Sequence, residues 1–224
     1  MNDPHSQLSE TIKKIWREDL SKDYDEGRVN SERAIQACFY YHLRNAPLFQ
    51  DKDKDYEIFI ESNFTKASLP EQQAESVQQA ECLGRTRYAP DIMISYERKI
   101  IGIIEIKNSS ETKAIKKDLT KFDKYKECSK SPGIDVRLSV DPKTGYYTDV
   151  RYKLLEDFDC YFVVIFNALD IEKQIENLLI ENCTNVGKIN ILARIVDRKK
   201  KNKPPKDFEH MEMFVAKNNN LSKS

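Results

Sequence analysis

The run KIIGIIEIK, residues 99–107, constrains the fold more than any other stretch of the chain. Ile100, Ile101, Ile103 and Ile104 put β-branched apolar side chains on both faces of a strand, and only a sheet covered on both sides accommodates that. The run then ends in Glu105 and Lys107 with a single Ile106 between them. Alternation along a strand places the acid and the lysine on one face and Ile106 on the other. A central strand that finishes in a carboxylate and an ammonium marks the end of the sheet as a candidate site.

The flanking sequence builds an α/β domain around this strand. Residues 8–20 space Ile12, Ile15, Trp16 and Leu20 as one helical stripe, and SERAIQACFYYHLRN does the same with Ile35, Phe39, His42 and Leu43, capped by Asn30 or Ser31. His42 is expected to pack against the sheet with its nitrogens satisfied locally. YEIFIESNF (56–64) reads as a strand, with Glu61 at the surface, and KASLPEQQAESVQQAECLGRT as loop with a short helical turn. RYAPDIMIS and KIIGIIEIKN form a hairpin around Glu97 and Arg98. A lysine-rich helix with Ile115, Leu119 and Phe122 on one face follows. Residues 129–153 suggest an inserted β-hairpin around DPKTG, and CYFVVIFNA (160–168) is another buried strand. DIEKQIENLLIEN returns to helix, and INILARIVD and MEMFVA close the sheet. The expected organisation is an N-terminal helical extension over 1–30, one domain over 31–215 and a disordered tail over 216–224.

Hairpin register decides whether a second acid reaches Glu105. A loop made of Glu97, Arg98 and Lys99 sets Asp91, which follows Pro90, directly across from Glu105. A two-residue loop slips the register by one and turns Asp91 to the other face. A bulge near Gly102 restores it. The expectation is therefore a three-residue loop or a bulge. Two carboxylates that close repel unless a cation lies between them. Mg²⁺ fits such a gap, since it takes oxygen ligands and is commonly held by one or two carboxylates plus waters. Lys107 then orients water and stabilises developing charge, its ordinary pKa of about 10.4 being high for a base.

PD at 90–91, thirteen intervening residues and EIK at 105–107 resemble the PD-(D/E)XK nuclease superfamily, the restriction-endonuclease-like fold, over roughly residues 30–170. The resemblance implies a mixed central sheet flanked by helices with an αβββαβ core. It implies metal-dependent hydrolysis of nucleic-acid phosphodiesters, DNA before RNA, in restriction, defence or repair, with Mg²⁺ (or Mn²⁺) held by Asp91, Glu105 and the Ile106 carbonyl. Glu32 corresponds to the acid that the first core helix often adds to the metal site. Relatives often carry a QxxxY pair on the helix after the motif; KFDKY offers Lys121 and Tyr125, a departure from Gln. These two either meet nucleic acid or lie on a solvated face.

The charge pattern bears on partners. The chain's 37 basic and 37 acidic residues cancel, so a polyanion must be met by local patches. Residues 107–130 hold eight lysines against four acids, and 194–206 seven basic residues against one. Lys117, Arg137, Lys143 and Arg151 are further candidates for phosphate contact, with Tyr146 and Tyr147 for stacking. A homodimer or a partner subunit would supply specificity that no visible reading module provides. Five scattered cysteines without a CxxC, and apolar stretches well short of the roughly 20 residues of a membrane span, suit a reduced cytoplasmic protein with no membrane partner. A catalytically silent nucleic-acid-binding or assembly protein on the same fold is the alternative reading, and an effector acting on RNA a more remote one.

Overall fold

The computed structural model describes residues 3–60, 89–108, 112–130, 134–136, 142–144, 150–166, 177, 188–195 and 209–214. Helix α1 (Pro4–Lys14) starts from Asp3, whose side chain accepts the Ser6 N–H, with Pro4 in the first turn where its missing N–H costs nothing. It runs through a π-helical stretch, Ile15–Leu20, into α2 (Ser21–Asp25). Helix α3 (Glu32–Asn45) is capped by Ser31, whose hydroxyl accepts the Ala34 N–H, and α4 (Pro47–Gln50) is a single turn. Strands β1 (Tyr56–Ile60), β2 (Ile92–Tyr96) and β3 (Lys99–Lys107) precede helix α5 (Thr112–Ser129). Strands β4 (Ile134–Val136), β5 (Tyr152–Phe166), β6 (Lys188–Ile195) and β7 (Glu209–Phe214) complete what is, among the described residues, a seven-stranded open sheet.

The sheet order is β1-β2-β3-β5-β6-β7, with β4 beside the start of β5. β1, β2 and β3 pair antiparallel, β5 lies parallel to β3 and β6 parallel to β5, and β7 runs antiparallel to β6. The sheet is therefore mixed, and α5 lies within the crossover between two parallel strands. In the stretch expected as an inserted hairpin, β4 pairs antiparallel with Tyr152–Leu154. That second arm is continuous with the strand expected from residue 160, so β5 is one long strand.

Two helical layers cover the sheet. On one face Leu8, Ile12, Ile15, Trp16, Leu20, Ile35, Phe39 and Leu43 form a single cluster with Ile92, Ile94, Ile104, Ile106, Tyr161 and Val163. The N-terminal helices expected as an extension thus contribute five of these eight helical core residues. Gly102 lets α1 approach: a Cβ there would stand 2.9 Å from the Leu8 side chain. On the other face α5 buries Ile115, Leu119, Phe122 and Tyr125. His42 differs from expectation, because its Nε2 lies 2.6 Å from Asp23 Oδ2 of α2 and its partner is thus helical. The Asp23 carboxylate also accepts from Arg28. Cys38 is half-buried and Cys160 is buried. Glu61, the stretch expected as loop over 66–86, the helix expected over 170–182 apart from residue 177, and the tail expected over 216–224 lie outside the described residues.

Candidate active site

Register places the acids. The hairpin turn has two residues, Glu97 and Arg98, both with positive φ (49° and 59°) as a type I′ turn requires, and Tyr96 pairs with Lys99. Alone this would misplace Asp91. The register shifts one step further on: Ser95 faces Ile100 while Ile94 faces Gly102, so Ile101 is an extra residue on β3. Pairing beyond the bulge runs Met93 to Ile103 and Ile92 to Ile104, which brings Asp91 to the level of Glu105. The bulge, not the three-residue loop, makes the correction.

Asp91 then finishes what β2 leaves undone. β2 ends at Ile92, and the Ile106 N–H on β3 donates to Asp91 Oδ2 at 2.6 Å. Gln36 Nε2 of α3 donates to the Asp91 carbonyl at 3.0 Å, fixing the same residue from the helical side. Ile106 meets Asp91 through its amide, while its side chain joins the apolar cluster under α1–α3.

Glu105 points the other way, into the layer beneath α5, with a side chain 1% exposed. Tyr125 donates its hydroxyl to Glu105 Oε1 at 2.9 Å, and Lys121 Nζ lies 2.7 Å from Oε2. Lys121 and Tyr125 occupy one helical face four residues apart, so both reach the same carboxylate. The solvated-face alternative therefore does not hold for them. Lys121 also lies 2.9 Å from Asp118 Oδ1, and Asp118 Oδ2 is 2.9 Å from Lys107 Nζ. Lys107 completes the circuit with Glu32 Oε2 at 3.2 Å, reached across the end of the sheet from the first turn of α3. Glu32 also accepts the Asn108 N–H at 3.4 Å.

Burial governs the electrostatics. It pushes the Glu105 carboxyl up to about 8, against the pull of the Lys121 ammonium, with Asp91 adding to the rise. Burial also raises Asp91 to about 6, opposed by the Ile106 N–H and by Lys121. It works against the Lys107 ammonium too, but Asp118 and Glu32 more than compensate and hold that group above its ordinary range. Ionised, the four carboxylates Asp91, Glu105, Asp118 and Glu32 meet the two ammoniums Lys107 and Lys121.

The acidic donors at this end of the sheet are carboxylate oxygens, the kind of donor that Mg²⁺ takes. Among the described residues no group of three or more His, Cys, Asp or Glu side chains is arranged as a cage, because the lysines stand between the acids. Mg²⁺ needs no such cage, since one or two carboxylates with waters suffice.

Of the residues expected from sequence, Glu32, Asp91, Glu105, Lys107, Lys121 and Tyr125 converge here. Lys117 is exposed on α5 beside Asp118, Lys143 and Arg151 are exposed, and Arg137, Tyr146, Tyr147 and 196–206 lie outside the described residues. Asp118 and Gln36 were not anticipated. The signals were present: Asp118 follows Ile115 by three on the buried stripe of α5, and Gln36 follows Glu32 by four on α3. Comparison of the chain with family models, with curated proteins and with solved structures finds no match.

Proposed function

We propose that the chain is a divalent-metal-dependent nuclease hydrolysing nucleic-acid phosphodiester bonds, with DNA the expected substrate and a restriction-endonuclease-like core as its frame. The convergence of Asp91, Glu105 and Lys107 at one end of the sheet carries this reading. The order α3, β1, β2, β3, α5, β5, with β3 and β5 parallel, supports it.

Asp91 and Glu105 are the residues that would hold Mg²⁺. The ion, when bound, supplies polarisation of a phosphoryl oxygen and a more acidic water. Lys107 keeps its proton, because Asp118 and Glu32 both favour the ammonium, so it works by charge and position against the negative charge of a phosphoryl transition state. Glu32 and Asp118 aim that ammonium from opposite sides. The exposed Lys113, Lys116 and Lys117 on α5 offer a basic approach for the phosphate backbone.

The direct test is a cleavage assay on labelled duplex and single-stranded DNA and RNA, with Mg²⁺, with Mn²⁺ and with a chelator. Cleavage that requires the metal and disappears in Asp91→Ala and Lys107→Ala is the expected result. One observation favours a second reading: each lysine at the site is already paired with two carboxylates, as in a self-satisfied structural cluster. A catalytically silent nucleic-acid-binding protein would retain DNA in a gel-shift measurement and show no turnover with any divalent metal.

A further inference from the structure

The α5 side of the site is already filled by a cation. Lys121 Nζ sits between Glu105 Oε2 and Asp118 Oδ1, at 2.7 and 2.9 Å, lengths typical of charge-assisted hydrogen bonds. One turn further along the same helix, the Tyr125 hydroxyl engages the other Glu105 oxygen. Helix α5 therefore holds both oxygens of the most buried carboxylate in the cluster. A divalent ion that takes Glu105 as a ligand must share an oxygen with one of these two groups or displace it. Tyr125 is 2% exposed and packed against Phe122, their ring centroids 6.4 Å apart, which fixes its ring. Lys121 is different: its stem is flexible, its side chain keeps 16% exposure, and it has a second acid within reach.

We propose that Lys121 is a resident competitor for the divalent ion at Glu105, and that Asp118 is the berth to which its ammonium withdraws when the ion binds. Helix α5 thereby sets the metal affinity of the site. The proposal rests on the metal-site reading above and adds to it a regulating contact within the chain. Two like-signed cations a few ångströms apart repel strongly where water is scarce, so ion and ammonium exclude one another at Glu105. Withdrawal is short, because Asp118 already accepts from the same Nζ. Asp118 also holds Lys107 through its other oxygen, so arrival of the ion and aiming of Lys107 meet in one carboxylate. A neutral residue at position 121 would leave Glu105 open to the ion, and an arginine would keep it occupied.

Titration of the full-length chain with Mn²⁺, followed by the electron paramagnetic resonance signal of the free ion, tests this without any substrate. Lys121→Gln and Lys121→Met are expected to bind at least about tenfold more tightly than the unaltered chain, and Lys121→Arg no more tightly. Binding by the unaltered chain with no gain in folded Gln and Met variants overturns the competition alone, as does an equal gain in Lys121→Arg. No binding by any of these proteins removes the metal-site reading and the competition with it. If the neutral variants do not fold, the ammonium itself is observable in the unaltered protein by ¹H–¹⁵N spectroscopy. Saturating Mg²⁺ must then shift the Lys121 signal, and a signal that stays in place sinks the proposal.

Discussion

The two faces of the sheet are built on opposite terms. Under α1–α3 every contact in the main cluster is apolar: Leu8, Ile12, Trp16, Ile35 and Phe39 against alternate isoleucines of β2 and β3. Under α5 the apolar contacts of Ile115, Leu119 and Phe122 give way, at the end of the sheet, to Glu105, Asp118, Lys121 and Tyr125. Both faces are largely buried. The charges hidden on the α1–α3 face, Asp23 and Arg194, lie beside the apolar cluster in separate pairings with His42, Arg28 and Asp25. The α5 face instead links its charges in one cluster and must pay desolvation for each. Residue 106 belongs to the first face and residues 105 and 107 to the second, so a single strand divides the two tasks by its alternation. What the difference teaches is that a buried charged cluster need not endanger the fold when an independent layer holds the same strands.

Substitutions should separate the faces, and the largest effect is expected at the acids. Asp91→Asn keeps an acceptor for the Ile106 N–H and removes the charge that burial penalises. Hydrolysis is expected to fall by about 10²–10⁴-fold, while the urea midpoint of the metal-free protein stays level or rises. A marked loss of stability would mean that this end is a structural polar core, and the contrast would collapse. Trp16→Ala is the mirror experiment. It should cost about 3–5 kcal/mol in urea unfolding, with turnover per folded molecule unchanged. Asp118→Asn comes next: it touches both lysines, so turnover should drop roughly tenfold to a hundredfold through misaligned Lys107, while KM changes little. A rise in KM alone would instead mark Asp118 as a substrate contact.

The apolar face was the more legible in the sequence, and for a physical reason. Periodicity reports burial locally, so Ile35, Phe39 and Leu43 on α3, the isoleucines of β3, and Ile115, Leu119 and Phe122 on α5 could be placed from spacing alone. The alternation that sets Glu105 and Lys107 opposite Ile106 was legible on the same grounds. Asp118 was not, because a single polar residue on an apolar stripe acquires meaning only when a distant strand delivers Lys107 to it. The Ile101 bulge was foreseen as one of two devices, and spacing could not choose between them. β5 was read as starting at residue 160 because the junction near 155–158 interrupts its pattern. There β3 and β5 shift register, between Ile100 opposite Leu154 and Gly102 opposite Asp159, which pairing across strands reveals and local sequence does not. Helices α1 and α2 read as an extension for the same reason: amphipathicity shows that a helix is covered, not what covers it.

The smallest effect concerns the rim of the apolar face, where α1 makes a charged contact with β5. His5 Nδ1 lies 3.1 Å from Asp159 Oδ2, and both side chains are 25% exposed. The hydrogen bond to Asp159, with that carboxylate's charge, raises the His5 pKa above its ordinary value despite the opposing effect of burial. A raised histidine pKa means that the folded chain binds the proton more tightly than the unfolded one. The contribution is therefore complete below the unfolded value of about 6.5 and disappears as pH rises through the folded value. Partial exposure limits it to about 0.5–1 kcal/mol. In urea unfolding, His5→Gln should be less stable than the unaltered chain by about that amount near pH 5.5, with the gap closing near pH 8.5. A gap of equal size at both values would show that His5 acts by packing and not by charge. Charge would then contribute nothing at this rim, and the contrast with the α5 face would be sharper there.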